Sequence, residues 1–168
     1  AFFSYNHRRT AKLILFVGFL VILFPLMSEV NFFYLEPVSV LKQRNQLKAF
    51  LLKTAKQGGR PIKTLNIIFC SDKYLLHINQ QFLEHDYFTD IITFDLSESK
   101  KGTIAAEIYI SYDRVKDNAT QMKTPISKEL HRVIFHGLLH LLGYKDKLKK
   151  DQNRMREMED KLLTKYFC

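Results

Sequence analysis

Cysteine is scarce in this sequence. The chain has two, Cys70 within an apolar run and Cys168 at the last position. Cysteines placed in this way form neither a disulfide framework nor a C-x-x-C metal pair. We therefore expect a protein of a reducing compartment, the cytoplasm. The length of 168 residues suits one ordinary domain and is too short for two.

Acidic residues are also few relative to basic ones. Asp and Glu number 17 against 26 Lys and Arg, which gives a formal net charge of +9. The hydrophobic fraction of 46% is that of a globular protein and excludes wholesale disorder. The spread of cations along the chain favours a polyanionic partner, with nucleic acid first. The alternative is that this charge serves only solubility.

The sequence has no apolar run long enough to span a membrane. The uncharged segment at 13–26 covers 14 residues, whereas a spanning helix needs roughly 17–25. It follows a basic stretch, as in a signal peptide, but no small-residue cleavage site comes after it. We interpret residues 1–26 as a spurious upstream translation or a dispensable leader, in preference to a functional anchor. We expect the domain to comprise residues 27–168, without a membrane partner.

The remaining patterns alternate between strand and helix signals, without repeats. Short apolar or β-branched runs predict strands at 30–36, 64–70, 90–96 and 104–111. Helical spacing predicts helices at 38–57, 72–83, 112–122, 125–142 and about 151–166. A polar, glycine-containing segment after residue 96 predicts an antiparallel connection between the third and fourth strands. We expect one α+β domain with a mixed, mostly parallel sheet of about four strands and five to six helices.

Two histidines four residues apart mark a candidate metal site. His136 and His140 share one helical face, and their imidazoles can reach one ion. Gly143 predicts the end of the helix, so that the chain turns back and offers Asp146 as a third ligand. Three ligands leave one coordination position for water, as in catalytic zinc sites. The alternative is a buried helix that carries partnered core histidines.

The H-E-x-x-H signature of zinc peptidases is absent. Position 137 is glycine, so the general-base glutamate is missing and a peptidase is disfavoured. Because glycine inside a helix costs about 1 kcal/mol relative to alanine, we expect Gly137 to permit close approach of backbone or substrate. His131 lies five residues before His136 and points elsewhere. We interpret it as a surface residue or an outer support of the site.

With these residues considered, a family resemblance is apparent. The segment "HGLLHLLGY", preceded by "FTDIITFDL" and "AAEIYIS", resembles the YbeY family of bacterial single-strand-specific metallo-endoribonucleases. The resemblance covers essentially Met27 to the C-terminus. It implies a zincin-like site with one Zn²⁺ per chain and cleavage of single-stranded rRNA precursors in 16S rRNA 3′ end maturation. It also implies ribosome or ribosomal-protein partners in ribosome biogenesis, and no DNA partner.

The chain departs from the family pattern at the third ligand. Where the family has a third histidine, this chain has Asp146, which adds negative charge and widens the choice of metal. At the family's arginine and proline positions stand Leu83 and Phe88, whereas Thr89 and Asp90 are kept. The resemblance therefore makes Thr89 and Asp90 candidate substrate-binding residues.

The absence of the family's arginine concerns the RNA-cleaving mechanism and not the fold. His85 is a nearby cation-capable residue and a further candidate for substrate binding. We nominate no catalytic group beyond the water at the metal, because the sequence shows none in a determined place. One alternative function is a ribosome-assembly factor with a mainly structural metal and weak or absent nuclease activity. Another is a metal-dependent hydrolase of a different substrate.

Overall fold

The computed structural model describes residues 2–3, 28–38 and 41–168. Its strands are β1 (Phe2–Phe3), β2 (Glu29–Tyr34), β3 (Ile62–Cys70), β4 (Ile91–Asp95) and β5 (Ile104–Ser111). Its helices are α1 (Arg44–Gln57), α2 (Asp72–Leu83), α3 (Tyr112–Gln121), α4 (Ile126–Leu141) and α5 (Lys149–Phe167). Apart from Phe2 and Phe3, the predicted leader at 1–26 lies outside the described residues.

The strands form one mixed sheet in the order β1-β4-β5-β3-β2. Strands β2, β3 and β5 pair in parallel, whereas β4 pairs antiparallel with β5. The two-residue strand β1 pairs in parallel with β4. The predicted α+β class, the four longer strands and the antiparallel connection are thus confirmed.

Alternate side chains of the central strand β3 enter two separate apolar clusters. Ile67 and Phe69 belong to the larger cluster, which includes buried residues of α1, α4 and α5. Ile68 and Cys70 point to the opposite face and pack with α2. Burial on both faces explains the nearly continuous apolar run of this strand. Helix α4 therefore lies on the more thickly covered face of the sheet.

Helix boundaries follow their capping residues. The Ser71 hydroxyl accepts a hydrogen bond from the Tyr74 backbone N–H at 3.3 Å, which confirms the predicted N-cap. Helix α1 begins at Arg44, six residues later than predicted, because Gln43 adopts the left-handed conformation with φ of 50°. Gly143, with φ of 93°, lies two residues beyond the end of α4. Among residues 28–38 and 41–168, no helix has the length and apolar character needed to cross a bilayer.

Gly137 lies where α4 packs directly on the sheet. A Cβ atom at this position would be 2.8 Å from Ile108 Cδ1 and 2.9 Å from Ile91 Cδ1. The glycine thus permits close approach of the helix to β4 and β5. Of the two roles expected for Gly137, close approach of backbone or of substrate, this is the first. A glutamate at 137 would meet these apolar side chains, and both isoleucines would have to shift to accept it.

The surface position expected for His131 is wrong. The residue is buried because α5 covers it, and its ring packs against Tyr166 with centroids 4.8 Å apart. Its Nδ1 lies 2.6 Å from the Ser127 carbonyl oxygen, to which the ring N–H donates. Its Nε2 has no hydrogen-bond partner among the described residues. Burial lowers the pKa of His131, and the hydrogen bond to Ser127 offsets this only in part.

We predict that His131 makes the protein acid-sensitive. A histidine whose pKa is lower in the folded state than in the unfolded state makes its full contribution to stability at pH values above the unfolded pKa, which is about 6.5. That contribution is lost as the pH falls below 6.5, because the unfolded chain then binds more protons. Urea denaturation at pH 7.5 and 5.5 should show a smaller loss of unfolding free energy for His131→Phe than for wild type. A His77→Gln control at an exposed position should behave like wild type. Equal losses in wild type and His131→Phe would contradict the prediction.

Candidate metal centre

Helix α4 and the turn after it bring three potential ligand atoms together. The Nε2 atoms of His136 and His140 are 2.9 Å apart. After the turn at Gly143, the Oδ2 atom of Asp146 lies 3.4 Å from His140 Nε2 and 3.7 Å from His136 Nε2. The turn is closed by the Tyr144 N–H, which donates to the Leu139 carbonyl at 3.0 Å. The three side chains predicted as ligands therefore converge on one point.

The separations suit a metal ion. Ligands about 2.1 Å from a tetrahedral zinc ion lie about 3.4 Å from one another, and the three observed distances bracket this value. The donor set of two imidazoles and one carboxylate is also one that zinc accepts. With these three residues as ligands, a bound zinc ion would keep one coordination position for water or substrate.

Outer hydrogen bonds orient both imidazoles. His140 Nδ1 lies 3.0 Å from the Tyr144 carbonyl oxygen, and His136 Nδ1 lies 2.8 Å from Glu159 Oε1. Both partners are acceptors, so we assign the ring hydrogens to Nδ1 and the lone pairs to Nε2. Two nitrogen lone pairs and a carboxylate oxygen then face one another. A shared proton satisfies two of these acceptors, whereas a metal ion satisfies all three.

The environment of His140 favours the form that binds metals. The side chain is almost fully buried, and its pKa is lowered to about 4. Burial is the largest cause, followed by the charge of His136, while Asp146 and the Tyr144 carbonyl oppose the shift. Metals bind neutral imidazole. At neutral pH, His140 therefore offers its Nε2 lone pair without first losing a proton.

Glu159 of α5 is a site residue that the sequence analysis missed. The residue is 5% exposed, and its carboxylate accepts from both His136 and Arg132, the latter at 3.2 Å. Arg132 also donates to Asp160 at 2.8 Å and lies 3.5 Å from Glu129. A sequence signal did exist. Glu159 is four residues after buried Met155 and three before buried Leu162, so a carboxylate occupies the apolar stripe of α5.

The site opens into a cleft of about 530 Å³. Thr89 and Asp90 lie on its wall together with His136 and Asp146. Asp90 Oδ2 accepts from Asn118 Nδ2 at 3.0 Å, which fixes its carboxylate. The structure thus brings two of the three predicted substrate-binding residues to the metal cleft.

His85 is placed differently from the other two candidates. It is not among the described residues that line the metal cleft. Its ring stacks on Tyr87 with centroids 5.0 Å apart, and its Nδ1 lies 3.0 Å from the Tyr87 hydroxyl. Leu83, at the family's arginine position, is the last residue of α2 and packs against the smaller apolar cluster.

Fold and site together define an α+β protein with a candidate metal centre on a helix and the turn that follows. The chain belongs to the Endoribonuclease YbeY family, whose model matches residues 36–167. It is 51% identical over 138 residues to the Endoribonuclease YbeY of Cytophaga hutchinsonii, covering 82% of this chain and 96% of that protein. It is 43% identical over 139 residues to the Endoribonuclease YbeY of Porphyromonas gingivalis, covering 82% and 90%.

A solved structure supports the same assignment. The solution structure of TM1509 from Thermotoga maritima matches with a TM-score of 0.55 at 28% sequence identity. The match covers 83% of this chain and 89% of that chain. The resemblance inferred from the sequence motifs is confirmed at the level of the family and of the fold.

Proposed function

We propose that this protein is a zinc-dependent endoribonuclease that cleaves single-stranded RNA, acting in rRNA processing and 16S rRNA 3′ end maturation. The convergence of His136, His140 and Asp146, of which His136 and Asp146 line an open cleft, is the observation that carries the proposal. Membership in a family whose relatives are named Endoribonuclease YbeY supports the RNA substrate. The proposal includes a cytoplasmic location and ribosomal partners.

The three ligand residues would hold the metal, and the chain supplies their orientation. Once bound, a zinc ion would act as a Lewis acid that polarises water or a phosphodiester oxygen. The Tyr144 carbonyl and Glu159 fix the two imidazoles so that their Nε2 atoms face each other and Asp146 Oδ2. Asp146 sits on a turn rather than on the helix, and its side chain is 33% exposed. The ligand nearest to incoming RNA is therefore the carboxylate.

Two other cations on the cleft wall are placed to bind phosphate in place of the family's arginine, which this chain lacks. Lys149 and Arg156 both line the cleft from α5. The Arg156 side chain is 56% exposed, which leaves its guanidinium able to reach a phosphate oxygen. Arg132 also lines the cleft, but its guanidinium is held among three carboxylates. We assign phosphate binding to Lys149 and Arg156, and a structural role to Arg132.

Exposed aromatic rings beside the cleft support a preference for single strands. Tyr87 and Phe88 are 52% and 48% exposed and directly precede Thr89 and Asp90. The Arg114 guanidinium lies 4.7 Å from the centre of the Phe88 ring. Unpaired bases stack on exposed aromatic side chains, whereas bases within a duplex are already stacked. The segment at 87–90 thus offers ring surfaces next to the site of cleavage.

Metal removal tests the proposal. Protein treated with a chelator and dialysed should lose cleavage of a single-stranded RNA oligonucleotide, because the Lewis acid is removed. One equivalent of zinc should restore the activity. The same strand annealed to its complement should be cleaved at least about tenfold more slowly, since stacking energies are a few kcal/mol per base. Full activity in the chelated protein would refute the metal dependence, and equal cleavage of the duplex would refute the strand preference.

A ribosome-assembly factor with a mainly structural metal is the second candidate. The observation that favours it is Leu83, whose side chain packs against the core where the family's arginine stands. His140→Ala compared with wild type separates the two functions. If wild type cleaves RNA and His140→Ala does not, the enzyme assignment holds. If wild type cleaves no RNA while both proteins associate equally with ribosomes, the assembly factor is the better description.

A further inference from the structure

A second groove lies beside the metal cleft, bordered by the ends of α1 and α4 and by α5. Its volume is about 610 Å³. Four cationic side chains line it, namely Lys145, Arg154, Lys161 and Lys165. The described residues that line it include one acid, Asp151. This groove therefore carries a net positive charge, and none of its cations takes part in the metal centre.

Three of these cations form a stripe along α5. Arg154, Lys161 and Lys165 follow one another at intervals of seven and four residues, which places them on one helical face. The stripe is about 16 Å long at 1.5 Å per residue. Met158 and Leu162 lie between the cations and also line the groove. The surface is thus an elongated track with apolar patches, rather than a socket for one anion.

The groove begins at the residue next to a metal ligand. Lys145 lines the groove, whereas Asp146 lines the metal cleft. The Arg154 guanidinium lies 5.3 Å from the centre of the Tyr144 ring, and the Tyr144 carbonyl accepts from His140. A chain that leaves the metal cleft over the turn after Gly143 therefore enters the groove directly.

We propose that this basic groove binds the phosphodiester backbone of single-stranded RNA extending from the cleavage site. The inference rests on the proposed function, since it assumes that RNA occupies the metal cleft. A polyanion with regularly spaced phosphates matches a stripe of cations, and its bases can contact Met158 and Leu162. Continuity with the metal cleft favours RNA over an acidic protein as the occupant. The groove would make affinity depend on substrate length.

The test is a triple variant, Arg154→Gln/Lys161→Gln/Lys165→Gln. All three side chains are exposed, so the fold should tolerate the change. The matched control is Lys63→Gln/Lys73→Gln/Lys100→Gln, which removes the same charge from exposed positions outside both cavities. Fluorescence anisotropy measures binding of a 20-nucleotide single-stranded RNA to metal-free protein, which cannot cleave it. The same variants with zinc give KM and kcat for this RNA and for a 5-nucleotide RNA.

We expect the triple variant to bind the long RNA at least about tenfold more weakly than the control does. The slope of log affinity against log salt should fall by about 2, at roughly 0.7 per lost phosphate contact. KM should rise for the long RNA only, with kcat unchanged. Equal binding of long RNA by both variants would overturn the proposal. Poly-glutamate serves as the probe for an acidic protein, and loss of its binding without loss of RNA binding in the triple variant would also overturn the proposal. If wild type cleaves no RNA, the proposed nuclease function fails, but the anisotropy result still shows whether the groove binds RNA.

Discussion

Replacing His140 with alanine is expected to abolish stoichiometric zinc binding and to reduce RNA cleavage about a thousand-fold or more. The residue is 1% exposed, and its Nε2 faces both His136 and Asp146. Its removal leaves two ligands for an ion that binds three protein groups in catalytic sites. A Lewis acid contributes several kcal/mol to such a reaction, and each 1.4 kcal/mol corresponds to about tenfold in rate.

The measurement is metal content after dialysis, alongside the cleavage rate of a single-stranded RNA. His77→Ala, at an exposed position of α2, removes a histidine away from the site and should leave both quantities unchanged. Because truncation of buried His140 can disturb the fold, Asp146→Ala provides a second variant on a partly exposed turn. Asp146→His restores the three-histidine set that the family resemblance implies and should retain zinc. Stoichiometric zinc in both alanine variants would exclude this metal centre.

Local chemistry explains why the convergence of the three candidate ligands could be predicted. His136 and His140 meet because their spacing puts them on one helical face, whatever the helix packs against. Gly143 reverses the chain because its φ of 93° is open to glycine and strained for other residues. Asp146 follows three residues later, so the geometry is set within eleven residues. The antiparallel pair β4–β5 was predictable for the same reason, since a short polar connection joins the two strands.

The features that the sequence analysis missed depend on contacts between distant segments of the chain. Glu159 reaches His136 from 23 residues away, across the interface between α4 and α5. Helical periodicity can place a carboxylate in the apolar stripe of α5, but it does not indicate which residue of another helix lies opposite. The burial of His131 depends on the same interface, because Tyr166 and Phe167 of α5 cover its ring. Helix packing is a tertiary property, and spacing along one helix does not determine it.

The use of the positive charge was predictable only in part. The excess of cations indicated a polyanionic partner, but it did not indicate where that partner binds. In the structure, α5 turns Lys149 and Arg156 toward the metal cleft and Arg154, Lys161 and Lys165 toward the second groove. One helix thereby divides its cations between two surfaces. This division follows from the rotation of α5 about its own axis, which its contacts with α4 set.

Glu159→Gln is expected to weaken zinc affinity about 10- to 100-fold, the usual effect of losing a partner of a metal-binding histidine. The glutamine oxygen can still accept from His136 Nδ1, so the ring should keep its orientation. The carboxylate charge is lost, however, and with it the charged outer partner that strengthens the bond of a ligand histidine to its metal. Arg132 keeps Glu129 and Asp160 as partners, so its guanidinium is not left unpaired.

Asp160→Asn is the matched control for Glu159→Gln, because it removes the same charge from another partner of Arg132. Asp160 is 58% exposed and lies 2.8 Å from Arg132, but it is not part of the hydrogen bond that orients His136. Competition against a chromophoric zinc chelator should give the control the zinc affinity of wild type, because Asp160 contacts neither a candidate ligand nor the hydrogen bond that orients His136. Cleavage by Glu159→Gln should recover largely when zinc is saturating. Equal affinities of the two variants would show that Glu159 only pairs with Arg132, whereas a selective loss in Glu159→Gln assigns it to the metal centre.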